Sequence, residues 1–266
     1  MSGNICQRKQ KETNMSQAEK ASRFAGLHQR GNPLVLHNIW DAGGAKALAK
    51  AGAPAIATGS WSMAAAHGYE DGEAIPLELV LSIARRICVS VDVPVTVDFE
   101  GGYATEPTKV AENVRKVIRA GAVGINFEDR IVGGGGLHPI SEQVARLKAI
   151  RSVAAEESVP LFINARTDLF LGTDPETHKD SLPEALERET AYAEAGADCF
   201  FVPGLTEASL ILQVADAASL PVNVMMMGDL AAVDDVASMG VSRVSYGHGP
   251  YLQFLADLKK AYADAS

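Results

Sequence analysis

The residues best suited to chemistry gather in one short stretch, Val95–Tyr103, which reads Val-Thr-Val-Asp-Phe-Glu-Gly-Gly-Tyr. Val95, Thr96 and Val97 are β-branched and suit a buried strand. The run then breaks into Asp98, Glu100 and two glycines. A carboxylate left unpaired out of water costs on the order of several kcal/mol. A divalent cation offsets that cost. Carboxylate oxygens are the hard ligands that Mg²⁺ takes, one or two directly, with water filling the remaining positions. The plainer alternative is a polar strand end followed by an ordinary turn.

The same chemistry recurs at the ends of other apolar runs. Trp40 and Asp41 follow one, and Thr58, Gly59 and Ser60 another. Glu128, Asp129 and Arg130 close a third, Asn164, Arg166 and Asp168 a fourth, and Tyr246 and His248 the last. Carboxylates around one point with Arg166 opposite suggest a metal ion and an anionic substrate gripped by a guanidinium fork. Histidine is the usual side chain for proton transfer, so His138 and His248 are candidate acid–base groups, although a lone histidine is more often structural. Asp41 suits either the metal or a helix N-cap. Tyr103 is expected to pack on the rim rather than touch substrate. Cys88, Cys199 and the Met225–Met227 run read as core filling.

The elements that must position these groups follow a rhythm of short apolar runs and helical segments. The runs are Leu34–Ile39, Pro54–Thr58, Pro94–Asp98, Val123–Glu128, Pro160–Arg166, Asp198–Pro203, Pro221–Met226 and Ser242–Tyr246. The helices expected between them are Gly43–Ala51, Pro76–Val91, Pro107–Ala120, Ile140–Glu157, Leu182–Ala195, Thr206–Ala217 and Leu230–Met239, with a last at Gly249–Ala263. Ser16–Gln29 is expected to form a preceding helix. Eight such units imply a parallel α/β sheet closed as a (β/α)₈ TIM-type barrel, with its active site at the strand C-termini. A doubly wound sheet would want a G-x-G-x-x-G turn, and Asp41-Ala42-Gly43-Gly44 is not one. Residues 1–15 are expected to be a mobile extension and residues 16–266 a single barrel domain. Two segments read as loops over the site. One is His67–Glu73 and the other is Arg130–His138, whose Gly133–Gly136 run reads as a mobile lid.

Composition narrows the partners. A net charge of −9 argues against nucleic acid, which needs clustered Lys and Arg. It leaves room for an anionic substrate held by a local arginine or metal. The three cysteines show no paired spacing, which fits a reducing, cytoplasmic setting. No apolar run is long enough to span a membrane, and the polar N-terminus is not a signal peptide.

Asp98-Phe-Glu-Gly-Gly-Tyr, Gly124-Ile-Asn-Phe-Glu-Asp-Arg and Asn164-Ala-Arg-Thr-Asp, in this order, resemble the isocitrate lyase/phosphoenolpyruvate mutase superfamily. The resemblance covers about Ser16 to Ala263. It implies a (β/α)₈ barrel with its last helix swapped between subunits, a homo-oligomer (dimer or dimer of dimers) and a Mg²⁺ site that Mn²⁺ could also fill. Residue by residue, Asp98 matches the direct metal ligand. Asp71, Glu100 and Glu128 match acids holding metal-bound waters. Arg166 matches the arginine on the substrate carboxylate, and Thr58–Ser60 the segment that binds the oxo acid. Thr58, Gly59, Ser60, Asn164 and Arg166 are the expected substrate contacts, and Arg166, Glu128 and His138 the expected catalytic groups.

The departures are informative. The lyases carry a lid cysteine as catalytic acid, whereas this lid is four glycines. The polar lid residues of phosphonopyruvate enzymes are also missing, and Pro203 stands where relatives place a His or an acid. The chain therefore resembles the cysteine-less, oxaloacetate decarboxylase-like branch. The expected substrate is a small 2-oxo or 2-hydroxy dicarboxylate cleaved through a pyruvate-type enolate, oxaloacetate first. A retro-aldol (methyl)isocitrate-type lyase, a phosphonopyruvate enzyme and a non-catalytic 2-oxo acid binder are the alternatives.

Overall fold

The computed structural model describes residues 15–265. The extension expected over residues 1–15 lies, Met15 apart, outside the described residues. The strands are β1 Leu34–Leu36, β2 Asn38–Ile39, β3 Ile56–Thr58, β4 Val95–Asp98, β5 Gly124–Glu128, β6 Phe162–Arg166, β7 Cys199–Phe201, β8 Val222–Met225 and β9 Arg243–Ser245. The helices are α1 Gln17–Gly26, α2 Ala42–Lys50, α3 Ser60–Ala66, α4 Leu77–Cys88, α5 Pro107–Arg119, α6 Ile140–Glu156, α7 His178–Glu194, α8 Ala208–Ala217, α9 Val233–Ser238 and α10 Gly249–Ala265.

All neighbouring strands pair in parallel, in the order β1-β9-β8-β7-β6-β5-β4-β3-β2. The two ends of this sheet are halves of the single expected first strand. Leu34–Leu36 pairs with Arg243–Ser245, and Asn38–Ile39 pairs with Ala57–Thr58. His37 separates the halves and stacks on Tyr246 at 4.2 Å between ring centroids. The chain thus closes an α/β barrel of eight strand positions, as expected from the eight units.

Period-two alternation sorts the strand residues. Val97, Ile125, Phe127, Ile163 and Ala165 are fully buried in the main apolar core. Thr96 and Asp98, Asn126 and Glu128, Asn164 and Arg166 fall on the opposite face, with Asp98, Asn126 and Asn164 in one register row and Glu128 and Arg166 in the next. The barrel interior is therefore polar toward its mouth. At the other end α1 forms a plug. Ser16 and Glu19 complete a reciprocal N-terminal cap there. Phe24 meets Phe162 edge-on, and His28 stacks on the same ring at 4.1 Å.

Three elements differ from expectation. Ser60–Ala66, expected as loop, is helix α3, which buries Ser62, Met63 and Ala64. Helix α7 begins at His178, before the expected Leu182, and runs through Pro183. A short turn at Pro175–Thr177, capped by Asp174, leads the chain into it. Several helices end as expected on glycine at positive φ, Gly121 at 106° and Gly196 at 97° among them.

Candidate active site

Asp98 ends β4, and both its oxygens are held. Oδ2 accepts from the Ser60 backbone N–H at 3.0 Å and the Ser60 hydroxyl at 2.7 Å. Oδ1 accepts from the Asn126 amide at 3.2 Å. Thr58 supports the same turn from behind, its hydroxyl accepting from the Asp98 N–H at 2.9 Å. Thr58 is fully buried, so its side chain positions Asp98 and does not line the cavity.

Glu100 follows in a left-handed conformation, φ 47°, and its carboxylate accepts from the Glu73 N–H at 2.8 Å. Glu73 and Tyr103 share that conformation, at 60° and 58°, and Glu73 accepts from the Tyr103 N–H at 2.7 Å. Each such residue costs on the order of 1–3 kcal/mol, and such strain clusters at functional sites. Burial, with the charges of Asp98 and Asp71, pushes Glu100 up to about 8. Burial, then Asp98, also raises Asp71 on the rim.

Glu128 ends β5 beneath Arg166. Its Oε2 lies 2.9 Å from Arg166 Nη1. Burial raises Glu128, and Arg166 opposes that rise. Arg166 also grips Asp168 through Nε and Nη2, the latter at 2.8 Å. Burial alone would lower Arg166, but Glu128 and Asp168 raise it, so it stays a guanidinium. Three of its five N–H groups are spent on these carboxylates, leaving one on each Nη for a substrate.

These groups meet at the mouth of the barrel. A cavity of about 220 Å³ is lined by Gly59, Ser60, Asp71, Asp98, Asn126 and Arg166 on one side and by Leu171, Phe201, Pro203 and Met225 on another. It adjoins a second cavity under the lid, shared with Glu100, Glu128, Arg130, Gly133 and Gly134. The structure therefore brings together Asp71, Asp98, Glu100, Glu128, Arg166, Gly59 and Ser60, and His248 also lines the first cavity.

It does not bring in three of the expected residues. Thr58 stands behind the wall. Asn164 lies under the floor, fully buried, and reaches the site only through its amide bond to Asn126 Oδ1 at 2.8 Å. His138 is the larger correction. The Arg130–Leu137 bridge closes the glycine loop like a hairpin, and the His138 N–H is tied to the Asp129 carbonyl at 2.7 Å. Its ring turns to Glu142 at 3.3 Å and lines a separate cavity with Glu73, Tyr103 and Arg146. It is not placed to serve as acid or base at the barrel mouth. Asp41 is an N-cap, accepting from the Gly44 N–H at 2.7 Å. Tyr103 packs against Phe99, as expected. Cys88 and Cys199 are pushed up to about 12 by burial and are inert thiols at neutral pH.

Sequence reasoning missed the supporting network. Asn38 accepts from the Tyr246 and Gly247 N–H groups and donates to the Thr58 carbonyl at 2.8 Å, tying three strand ends together. Asp129 is buried between Arg188 at 3.2 Å and the Tyr192 hydroxyl at 2.8 Å, and it accepts from the Asp168 N–H at 3.0 Å. Arg243, inside the barrel, donates to Asn126 at 3.1 Å. Period-two spacing from Glu128 was the available signal for Asn126.

Comparison with known proteins agrees with this geometry. The family model described as phosphoenolpyruvate phosphomutase matches residues 24–265. The chain belongs to that family. Within the wider isocitrate lyase/phosphoenolpyruvate mutase superfamily it is 30% identical to the 2-methylisocitrate lyase of Escherichia coli strain K12, over 87% of this chain and 79% of that one. It is 28% identical to the oxaloacetate decarboxylase of Paraburkholderia xenovorans, over 89% and 78%. Among solved structures, one from Burkholderia cenocepacia described as a candidate phosphonomutase superposes with a TM-score of 0.91 at 44% identity, covering 94% of this chain and all of that one. A phosphonopyruvate hydrolase solved with oxalate and Mg²⁺ shares the fold, with a TM-score of 0.82 at 20% identity over 92% and 86%. The family consists of lyases and mutases of small carboxylates, and this chain is an enzyme of that kind.

Proposed function

We propose that the chain is a Mg²⁺-dependent carbon–carbon lyase that decarboxylates a small 2-oxo dicarboxylate, oxaloacetate being the simplest. The observation that carries this is the crescent of Asp71, Asp98, Glu100 and Glu128 facing Arg166 under a lid without an ionisable side chain.

The donor set fits a hard divalent cation. Asp71, Asp98 and Glu100 face one another, and Arg166 is bound to Glu128 and Asp168. Among the described residues no three His, Cys, Asp or Glu side chains converge as direct ligands of one ion. Mg²⁺ would be held directly by Asp98, with Asp71, Glu100 and Glu128 acting through water, since Mg²⁺ keeps much of its hydration. Mn²⁺ would suit the same oxygens. When bound, the ion supplies Lewis acidity toward the oxo group.

The chain's own residues do the rest. The free edge of Arg166 would hold the C1 carboxylate, with Ser60 lining the same cavity beside it. The C3–C4 bond breaks, its electron pair moves into the oxo acid to give the enolate, and CO₂ leaves. Water then protonates C3. No acid is needed at the departing end, which matches a lid of glycines. A retro-aldol cleavage of methylisocitrate would need one.

The same reading includes a homo-oligomer. Helix α10 buries only Tyr251, while Leu252, Phe254 and Leu258 are 45%, 47% and 56% exposed. A second copy exchanging α10 would cover that face. No described helix is long and apolar enough to cross a membrane, and a cytoplasmic location remains part of the proposal.

Incubating the enzyme and Mg²⁺ with oxaloacetate, methylisocitrate and phosphonopyruvate, with products read by mass spectrometry, tests the function. Pyruvate and CO₂ from oxaloacetate are expected. Efficient cleavage of methylisocitrate would overturn the reading.

A further inference from the structure

Beside Arg166, whose register partner on β7 is Phe201, one wall of the cavity is apolar. Phe201 and Met225, at the ends of β7 and β8, are 4% and 8% exposed. Pro203 and half-buried Leu171 complete the wall. The four are contiguous. A Cβ on Gly204 would sit 2.8 Å from the Leu171 Cα, so the two loops touch beside Pro203. Met225 is clamped by Gly247, where an added Cβ would meet its sulfur at 2.6 Å.

The side chains of this wall have nothing with which to hold an anion, while Ser245, the register partner of Met225, and His248 are polar residues lining the same cavity. Pro203 lacks a backbone donor as well as a polar side chain. The Val202 N–H is spent on the Asn223 carbonyl at 3.1 Å and the Met226 N–H on the Ser245 carbonyl at 2.8 Å. Arg166 is the one guanidinium lining this cavity and is already shared with Glu128 and Asp168. Arg130 lines the adjoining cavity with the lid and the acids, which Leu171 also borders. A second carboxylate packed on Leu171, Phe201, Pro203 and Met225 would find no donor among those four side chains, whereas an alkyl group would be buried there at a gain.

We propose that the substrate carries a short alkyl group on C3, seated on this wall, making it a 3-alkyl-2-oxosuccinate rather than oxaloacetate itself. This rests on the 2-oxo dicarboxylate reading above. Each methylene buried should raise affinity about fourfold, from ~0.8 kcal/mol per methylene.

Calorimetric binding with Mg²⁺ present tests the wall without any turnover. Pyruvate, 2-oxobutanoate and 2-oxopentanoate should bind in rising order, about fourfold per methylene, and 2-oxoglutarate at least tenfold more weakly than 2-oxopentanoate. Leu171→Gln, on the rim, should flatten the series, and Met225→Gln is a second variant should the first fail to fold. Decarboxylation of 3-methyl-2-oxosuccinate should exceed that of oxaloacetate in kcat/KM by about the same factor. A flat series, or 2-oxoglutarate binding tightest through Arg130, would overturn the inference and leave decarboxylation standing. A rising series with no CO₂ released from either dicarboxylate would keep the wall and remove the decarboxylase reading.

Discussion

Arg166 sets what the site can grip. Its planar fork holds Asp168 on one edge and Glu128 beside it, and presents its remaining N–H groups to the cavity. Arg166→Lys keeps the charge and loses the fork. Oxalate affinity in the presence of Mg²⁺ should fall by about 1.5–3 kcal/mol, the range for hydrogen bonds to charged groups. Unchanged affinity by calorimetry would take Arg166 out of the substrate site. Ser60 carries a related expectation, because its N–H and hydroxyl are both spent on Asp98. Ser60→Ala removes the competing hydroxyl, so it should leave Mg²⁺ affinity unchanged or slightly raised while weakening oxalate. Weaker Mg²⁺ with unaltered oxalate would reverse that assignment. Asp98, Glu100, Glu128 and Arg166 were legible because each stands at or just past the C-terminal end of an apolar run, whereas Asp71, in the His67–Glu73 loop, came only from the resemblance. His138 misled because sequence shows a histidine after a glycine loop but not which way the loop closes. Arg243 and Asn38 were illegible because a buried polar residue looks like an exposed one until its partners, far along the chain, are known.

At the scale of the element, the lid is the most testable part. Its four glycines are not equivalent. Gly133 and Gly136 adopt φ of 70° and 77°, and a Cβ on Gly134 would meet Ile131 at 2.6 Å, while Gly135 has open space. Gly135→Ala should therefore be silent. Gly133→Ala and Gly136→Ala should slow turnover severalfold through backbone strain, on the order of 1 kcal/mol each, without altering Mg²⁺ affinity. Equal effects at all positions in steady-state assays would argue that the lid acts through side-chain space rather than backbone conformation. The barrel elements themselves were legible from their rhythm and from glycines closing the helices. Helix α3 was not, because Gly59 gives it no side-chain cap and its Ala-rich run sits among loop signals. The split of the first strand at His37 also left no mark, since it follows from closure against both neighbours.

At the scale of the whole molecule, both ends of the barrel carry consequences. The plug buries His28 against Phe162, and burial first, then the charge of Arg243, lowers its pKa to about 3. The fold thus keeps His28 neutral where an unfolded chain would protonate it, so stability is lost as pH falls below ~6.5. Between pH 7.5 and 5.5 this group should remove about 1.4 kcal/mol. Denaturant unfolding of wild type and His28→Gln at both pH values measures it, and an identical pH dependence would rule His28 out. At the other end, Leu258→Lys on α10 should shift the oligomer toward monomer in light scattering, by placing a charge in the apolar contact. A chain that is monomeric before the change would remove the exchanged helix from the account.

The central claim is that Asp98 anchors the ion on which decarboxylation depends. The initial rate of CO₂ release from oxaloacetate under saturating Mg²⁺, for wild type and Asp98→Ala against Mg²⁺ alone, tests it most directly. Wild type should exceed the metal-only rate by at least a hundredfold, and the variant, still folded by circular dichroism, should fall back to it. A wild-type rate no greater than Mg²⁺ alone, or a variant as fast as wild type, would contradict it.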